Sequence, residues 1–477
     1  MSEPLVSVII PTYGGASFLG EAIRSVLDQT YSNLELIIVD DKSPDNTEEV
    51  VKQFNDPRIK YIRHEINQGA ATARGTGRRA SSGEIIAFLD QDDFFHPEKL
   101  EVHVEFMEKH LDIGFTYNPY FELIHSSKAI RTVSMPPKNM GLAELTLAFY
   151  LPPSSWVVRR EWAFQPEIWD SNASLRGREI VVCGRLFMSG CKFARVDRVL
   201  HYRGYHSRRK VNELEKNCED ELACQEIIFS DPRCPISVSD LRPIAKTIIS
   251  VMWADVAFTQ SETELGRKFL RESAQVNPSF FWGEPSLFIS FLMGYCIDDE
   301  SYDYESMLDL LFSQLPSETP NVLTSYLWAV ARGNFVRGVR ALIWNRPEDA
   351  ARNFSNASQY TFQVDEAFVQ QVTHELLGYE MACGVDATLA ILSKISLGLV
   401  NFMDRRGRNQ IKASYLFNRA TQDYHSGQLG AASRNIFRAV ACHPKYLLDR
   451  GVMSVLLKSI VGVKPRQVVE SSWRVSQ

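Results

Sequence analysis

Apolar and polar residues form alternating blocks over the first hundred positions. Uninterrupted apolar runs at residues 5–10, 34–39, 59–63 and 85–89 predict four buried β-strands. The segments between them carry apolar residues at helical spacing, with predicted helices beginning near Ser17, at Pro44, at residue 69 and at Pro97. Strands that alternate with helices and lack a polar face are typical of a mostly parallel sheet covered on both sides. The pattern therefore predicts an α/β, Rossmann-like fold in which Ser17 caps the first helix.

The periodicity changes at about residue 236, where strand patterns disappear and Ala, Leu and Arg recur at helical spacing. This change predicts two domains, an α/β unit over residues 1–215 and an all-α unit over residues 236–477. Three stretches of the second unit resemble one another, at residues 255–278, 347–357 and 423–444. They are compatible with degenerate helix-turn-helix repeats of the tetratricopeptide type, and equally with an irregular helical bundle.

Composition narrows the class of protein. Of the 477 residues, 45% are hydrophobic and 23% are charged, which is typical of a soluble globular chain. The net charge of −6 argues against a nucleic-acid partner, since such proteins usually carry a basic surplus. Eight scattered cysteines without a CxxC pair favour a reducing compartment, and the sequence lacks a run of about 20 apolar residues. We therefore expect a cytoplasmic protein, with any membrane contact peripheral and at the inner face.

Polar residues follow three of the predicted strands at the point where each strand ends. They are Pro11-Thr12-Tyr13, Asp40-Asp41 and Asp90–Asp93. Ligands of open parallel sheets bind beyond the carboxyl ends of the strands. These three loops, which are distant in sequence, are therefore expected to converge on one rim of the sheet.

The run Asp90–Asp93 is the sharpest chemical signal in the chain. Three carboxylates at the end of a buried strand repel one another unless a cation holds them together. Hard oxygen ligands at low number suit Mg²⁺ or Mn²⁺, with phosphate oxygens completing the coordination shell. His206, beside the aromatic run at residues 201–205, could ligate the metal or contact a diphosphate, although a lone histidine is more often structural. The alternative interpretation of the acidic run is a solvated turn that caps the helix at Pro97.

The other loops offer groups for a nucleotide and its phosphates. A carboxylate of the Asp40-Asp41 pair could accept the imide N–H of a uracil or bind ribose hydroxyls, and Tyr13 could stack on the base. Arg74 could face the phosphates, and the glycines near it allow close approach of the backbone. Helix capping and an exposed helix are the alternative interpretations of these segments.

Four motifs in order resemble those of the family 2 glycosyltransferases: Val8–Tyr13, Asp40–Asp45, Asn67-Gln68-Gly69, and Asp90–Asp93 followed by Pro97. The resemblance covers residues 5 to about 210. It implies the glycosyltransferase A fold, inversion of anomeric configuration, and metal binding by Asp92, with Asp90 near the donor sugar or ribose. It also implies a nucleotide pocket, and the residues assigned to the donor are Pro11, Thr12, Tyr13, Asp41, Asn67, Gly69, Arg74, Asp90 and Gln91.

Inversion requires a general base that deprotonates the acceptor hydroxyl as it attacks the anomeric carbon. The family usually places this base in a Gly-Glu-Asp segment before a helix, and the corresponding stretch looks like Gly177-Arg178-Glu179. The resemblance thus implies Glu179 as the base in place of the usual aspartate, with Arg178 in place of the usual glutamate. The Gln-x-x-Arg-Trp signature of processive synthases is missing, which favours addition of a single sugar.

The sequence therefore predicts a metal-dependent, inverting glycosyltransferase that uses Mn²⁺ or Mg²⁺ and a nucleotide-sugar donor, expected to be a UDP-sugar. The acceptor could be a glycan, a lipid-linked sugar or a protein. The helical domain could bind the acceptor, a protein partner or a second copy of the chain. Two alternatives stay open. One is a nucleotidyltransferase, which is disfavoured because Pro11–Gly15 lacks the basic residue of a phosphate loop; the other is a non-catalytic helical scaffold with a degenerate transferase domain.

Overall fold

A computed structural model provides the structure of the chain. It describes residues 3–461 except for 125, 126, 128, 148–150, 170–174, 176, 206–212, 282–286, 299, 301, 302, 314, 316–321, 361–363, 401 and 402. The strands are β1 (Val6–Thr12), β2 (Leu34–Asp40), β3 (Ile59–Arg63), β4 (Ile85–Phe88), β5 (Phe94–Phe95), β6 (Ile113–Tyr117), β7 (Tyr120–Ile124), β8 (Ile130–Ser134), β9 (Val157–Arg159), β10 (Lys192–Arg195) and β11 (His201–Tyr205).

Helices connect these strands and make up the chain after β11. Those of the α/β region are α1 (Leu19–Leu27), α2 (Thr47–Lys52), α3 (Ala70–Ala80), α4 (Lys99–Lys109), α5 (Leu142–Leu147), α6 (Arg160–Ala163), α7 (Pro166–Trp169) and α8 (Glu179–Met188). Those that follow are α9 (Leu214–Phe229), α10 (Ile236–Ser239), α11 (Arg242–Thr259), α12 (Thr263–Val276), α13 (Leu287–Asp298), α14 (Tyr304–Ser313), α15 (Val322–Ile343), α16 (Pro347–Ala357), α17 (Glu366–Cys383), α18 (Val385–Gly398), α19 (Arg405–His425), α20 (Leu429–Cys442) and α21 (Arg450–Val461).

The main sheet has the order β10-β6-β9-β4-β1-β2-β3. Strand β1 lies between β2 and β4 and is parallel to both, with Thr12 opposite Asp40 and Ile9 opposite Phe88. Only β9 runs antiparallel to its neighbours in this sheet. The predicted mostly parallel sheet is therefore confirmed. Because β1, β2 and β4 all end at the same edge, the loops that follow them are neighbours.

Both faces of the sheet are covered, as the continuous apolar strands predicted. On one face Val8, Ile10 and Ile38 pack against residues of α1 and α4. On the other face Ile9 and Ile37 pack in a second apolar cluster with Ala73 of α3. In a smaller sheet with the order β5-β11-β7-β8, strand β11 pairs with β5, the strand that follows β4 along the chain.

The beginning of α1 differs from the prediction. Ser17 does not cap it; the residue before the helix is Phe18, and its side chain makes no capping hydrogen bond. The backbone N–H groups of Phe18 and Leu19 both donate to the carbonyl of Gly15, at 2.9 Å each, so a turn satisfies them without a side chain. Likewise α2 begins at Thr47 rather than at Pro44, since the Asp45 carboxylate accepts from the backbone N–H and the hydroxyl of Thr47.

The helical region after β11 confirms the predicted change of fold class. The chain divides into two compact units, one up to Gly333 and one from Asn334. The first unit includes α9 and α11, whose Ile228 and Ala245 share an apolar cluster with Val181 of α8. The predicted partition into 1–215 and 236–477 stays a prediction, as does the resemblance of residues 255–278, 347–357 and 423–444 to tetratricopeptide repeats. Among the described residues, none of the helices is long and apolar enough to cross a membrane.

Candidate active site

Gln91 holds the loop after β1 in place. Its side-chain oxygen accepts hydrogen bonds from the hydroxyl of Thr12 at 2.6 Å and from the backbone N–H of Tyr13 at 2.9 Å. A Cβ atom at Gly15 would lie 2.2 Å from the same oxygen, so a larger residue there would displace the Gln91 side chain. The ring of Tyr13 is left 48% exposed at the edge of the sheet. An exposed aromatic ring on a fixed backbone is suited to stacking on a flat ligand.

The segment after β2, residues 41–46, is named here the β2 loop, and internal hydrogen bonds organise it. Asp40, the buried last residue of β2, accepts from the backbone N–H of Ser43 at 2.7 Å and from the hydroxyl of Tyr61 at 2.6 Å. The Ser43 hydroxyl in turn accepts from the backbone N–H of Gly14 at 3.1 Å. The β1 and β2 segments are thereby joined at the rim.

Asp41 is 2% exposed, and both of its carboxylate oxygens are in use. They accept from the backbone N–H groups of Gln68, at 2.9 and 3.0 Å, and of Gly69, at 2.6 Å, and one of them lies 2.7 Å from Nδ1 of His64. Gly69 has a φ of +87° and directly precedes α3, a conformation that favours glycine. Asp41 therefore ties the segment containing Asn67 to the end of β2.

Helix α3 lies close to the sheet and delivers Arg74 to the rim. A Cβ atom at Gly77 would meet Ile9 of β1 at 2.4 Å, so the small residue lets the helix approach the strand. The guanidinium of Arg74 donates to Asp90 at 2.7 Å and to Glu179 at 2.6 Å. Burial opposes its charge, but the two carboxylates outweigh this effect and raise the pKa of Arg74 above its ordinary value. Arg74 is thus a permanent cation between two acids.

The segment after β4, residues 89–93, is named here the β4 loop, and it uses its three acids differently. Asp93 points into the protein, where it accepts from the Ser154 hydroxyl at 2.5 Å and from the backbone N–H of Gly204 at 3.1 Å. Burial, together with the nearby charges of Asp90 and Asp92, raises the pKa of Asp93 to about 8. Ser154 also accepts from the backbone N–H of Asp90 at 3.0 Å. The loop is therefore supported from inside by Asp93 and presents Asp90 and Asp92 outward.

A cavity of about 480 Å³ opens where these loops meet. The residues that line it are Pro11, Thr12, Tyr13, Asp41, Asn67, Gly69, Ala70, Ala73, Arg74, Asp90, Gln91 and Asp92. All nine residues that the sequence assigned to the donor are in this set, together with Asp92, the assigned metal ligand. Its volume is in the range of small-molecule and cofactor sites.

Glu179, the base implied by the resemblance, is the first residue of α8. Its carboxylate is 22% exposed and is bound by Arg74, a residue of the cavity wall. Arg178 is 6% exposed and donates to the carbonyl of Ala71 at 3.1 Å, which anchors the start of α8 to the first turn of α3. The arginine that departs from the family pattern is therefore a buried link between two helices.

The side chains at the cavity fit a metal ion only if the phosphate oxygens of a bound molecule supply most of its coordination. Within the part of the chain that the structure describes, His, Cys, Asp and Glu form no group of three or more that could hold a metal. Asp93 faces the interior, Asp90 binds Arg74, and Asp92 lies in the wall of the cavity. His206, the second assigned metal ligand, lies outside the described residues. One carboxylate together with diphosphate oxygens is a normal arrangement for Mg²⁺.

Some residues of the site were not found by sequence reasoning. Ala70 and Ala73 line the cavity, and His64 and Ser154 hold its loops. The two alanines lie at helical spacing on the face of α3 that carries Arg74, which is a signal the sequence contains. Ser154 belongs to a separate segment, and nothing in its surroundings in the sequence distinguishes it from other serines.

Comparison with known proteins gives a family match within the α/β region. Residues 7–164 match the family described as Glycosyl transferase family 2. The chain is 42% identical over 155 residues to the UDP-Glc:alpha-D-GlcNAc-diphosphoundecaprenol beta-1,3-glucosyltransferase WfgD of Escherichia coli, which covers 31% of this chain and 60% of that protein. It is 42% identical over 117 residues to the putative teichuronic acid biosynthesis glycosyltransferase TuaG of Bacillus subtilis, covering 24% of this chain and 46% of that protein.

Among solved structures, residues 1–349 of S. aureus TarS in complex with UDP-GlcNAc align with a TM-score of 0.40 and 15% identity, over 76% of this chain and 94% of that chain. The chain spans three fifths or less of the length of the two curated relatives named above. The family match covers the part of the chain that contains β1 to β9, with the cavity at its rim.

Proposed function

We propose that this chain, whose residues 7–164 form a family 2 glycosyltransferase domain, transfers a sugar from a nucleotide-sugar donor to an acceptor hydroxyl. The observation that carries the proposal is the cavity at the carboxyl ends of β1, β2 and β4. It combines the exposed ring of Tyr13, the half-buried guanidinium of Arg74 and the carboxylate of Asp92. These are the groups needed to hold a base, a diphosphate and its counter-charge.

In the proposed complex the nucleotide occupies the side of the cavity formed by Tyr13 and Asn67. Tyr13 stacks on the base, and such stacking accepts any flat ring. Asp41 acts through the backbone of Gln68 and Gly69, because its carboxylate already binds both N–H groups. A UDP-sugar is the donor we propose, in keeping with the UDP-glucose in the name of the E. coli relative.

The diphosphate lies at the β4 loop, where Asp92 holds Mn²⁺ or Mg²⁺ together with phosphate oxygens. When bound, the metal supplies positive charge to the departing nucleoside diphosphate. Asp90 stays on Arg74 and faces the sugar or ribose. Asp93 is not proposed as a ligand or as a base, since its carboxyl group is buried on Ser154 and Gly204.

Glu179 is the proposed general base. It takes the proton of the acceptor hydroxyl as that oxygen attacks the anomeric carbon, which inverts the configuration in one displacement. Arg74 holds the carboxylate at the cavity wall through a hydrogen bond of 2.6 Å. Because the same guanidinium also binds Asp90, Arg74 fixes the position of the base relative to the donor site. The acceptor is a glycan, a lipid-linked sugar or a protein, and one sugar is added in each encounter.

The test is an assay of a panel of nucleotide sugars with and without Mn²⁺. A UDP-sugar is expected to raise the unfolding temperature in the presence of metal, since a ligand at 100 times its dissociation constant adds about 2.7 kcal/mol of stability. Slow hydrolysis or transfer is expected to release a nucleoside diphosphate. Release of inorganic pyrophosphate from a nucleoside triphosphate and a sugar 1-phosphate, supplied in a parallel assay, would identify a nucleotidyltransferase. A panel without any stabilising or hydrolysed donor would support the non-catalytic alternative.

A further inference from the structure

The C-terminal helices α20 and α21, with the turn at residues 444–448 that joins them, expose an unusual number of apolar side chains. The exposed members are Phe437, Leu447, Leu448, Leu457, Ile460 and Val461. Leu448 is 86% exposed and Val461 is 74% exposed. Exposed apolar residues are ordinary when single, but a group of them on adjoining elements marks an interaction surface.

The same segment is strongly basic, although the whole chain carries a net charge of −6. Residues 429–461 contain one acidic residue and five basic ones, all exposed: Arg434, Arg438, Lys445, Arg450 and Lys458. The single acid, Asp449, accepts from the backbone N–H groups of Gly451 and Val452 and so is engaged at the start of α21. The positive charge of this surface is therefore almost uncompensated within residues 429–461.

The basic and apolar residues are interleaved. Arg438 follows Phe437 directly, Lys458 follows Leu457, and Lys445 lies two residues before Leu447. This is the arrangement of segments that lie in the interface of a bilayer, where apolar side chains enter the acyl boundary and lysine or arginine side chains reach the headgroups. We name the exposed side chains of residues 434–461 the basic-apolar face.

We propose that the basic-apolar face docks this chain on an anionic lipid surface. The charge decides among the occupants of such a surface. A second copy of the chain in a symmetric contact would place the five basic residues opposite five more, which is unfavourable. An anionic bilayer neutralises them, and each basic residue near such a surface strengthens binding about fivefold. The proposal goes beyond the proposed sugar transfer and does not depend on it.

The experiment is flotation of the full chain with vesicles of phosphatidylcholine alone and with vesicles that also contain phosphatidylglycerol. We expect flotation with the anionic vesicles only, and its loss when the salt concentration is raised. The double substitution Leu447→Ser, Leu448→Ser and the separate double substitution Arg434→Gln, Arg438→Gln are each expected to weaken vesicle binding at least about tenfold. The matched control is Leu111→Ser, which changes a 77% exposed leucine of the other compact unit and is expected to leave binding unchanged.

Thermal unfolding of each variant shows whether it is folded, which its exposed positions lead us to expect. The proposal is overturned if the full chain fails to float at low salt, or if both double variants float as well as the unsubstituted chain. It is also overturned if sedimentation shows a dimer that Leu447→Ser, Leu448→Ser dissociates, because the face would then bind a second copy. Sugar transfer is not measured here, so failure leaves the proposed function untouched.

Discussion

Acidic residues follow both β2 and β4, which are buried strands, but the carboxylates at the two strand ends make different contacts. At β2, Asp40 and Asp41 are both almost fully buried, and their oxygens bind backbone N–H groups and side chains of the same protein. At β4, Asp93 is buried in the same manner, but Asp90 and Asp92 are partly exposed in the cavity, which Asp41 also lines while almost fully buried. The comparison shows that an acidic run at a strand end can contain two kinds of carboxylate. Buried carboxylates hold the loops through hydrogen bonds, and partly exposed carboxylates face the cavity, where a ligand would bind.

The largest effect on turnover is expected from Glu179, the proposed base, which Arg74 links to Asp90 of the β4 loop. Glu179→Gln keeps an oxygen that can accept from Arg74 but cannot take a proton. Turnover should fall about 10²–10⁴-fold, the usual worth of general-base catalysis, with donor affinity nearly unchanged. Steady-state rates with the identified donor and acceptor, beside isothermal titration of the donor, measure both quantities. The control is Glu161→Gln at an exposed position of α6; near-native turnover of the Glu179 variant would place the base elsewhere.

Asp92→Asn tests the outward side of the β4 loop. A metal at a diphosphate contributes several kcal/mol of charge stabilisation, so affinity for the nucleoside diphosphate in Mn²⁺ should fall by about 10² or more. Without metal, in a chelating buffer, the variant and the unsubstituted chain should bind equally weakly. Asp28→Asn, at an exposed position after α1, is the control. Unchanged metal-dependent binding would remove Asp92 from the coordination shell.

Asp41→Ala tests the inward side of the comparison at β2. The substitution leaves the backbone N–H groups of Gln68 and Gly69 and the ring of His64 without their acceptor. A loss of about 1–3 kcal/mol in the free energy of unfolding is expected. Because the loop as a whole is loosened, affinity should fall equally for uridine diphosphate and for inorganic diphosphate. A selective loss of uridine diphosphate would mean that Asp41 reads the base after all.

The smallest change, taken per pH unit, concerns Asp93 and the pH dependence of the free energy of unfolding. Its folded-state pKa, raised to about 8, lies above the ordinary value of an aspartate, so the folded state binds the proton more tightly than the unfolded state. Its contribution to stability is therefore fully present below the ordinary pKa and is lost as the pH rises toward 8. Asp93→Asn should flatten this decline, whose slope for one proton is at most about 1.4 kcal/mol per pH unit. Denaturant unfolding from pH 5 to 8 without metal measures it; parallel profiles for the two proteins would contradict the assignment.

Much of the α/β architecture could be predicted from the sequence. The strands at β1, β2, β3 and β4 lie within two residues of their predicted ends, because a buried parallel strand needs a continuous apolar run. The start of α1 was wrong, since backbone N–H groups there are satisfied by the carbonyl of Gly15 and not by Ser17. Local patterns identify elements well and their ends poorly, because ends depend on which hydrogen-bonding partner is nearest in space.

By itself the sequence determined the parallel sheet and the polar loops at its carboxyl edge, which follow from apolar periodicity and from the rule that parallel strands end at one rim. Its motifs and their resemblance to a known family identified ten of the twelve residues that line the cavity, but not Ala70 and Ala73. The tertiary structure alone decided the role of each acid. Arg74 binds both Asp90 and Glu179, although Glu179 lies 105 residues further along the chain. Ser154 donates to Asp93, which lies 61 residues before it. Partners so distant in sequence are chosen by packing, and packing sets which carboxylate is buried and which remains available to a ligand.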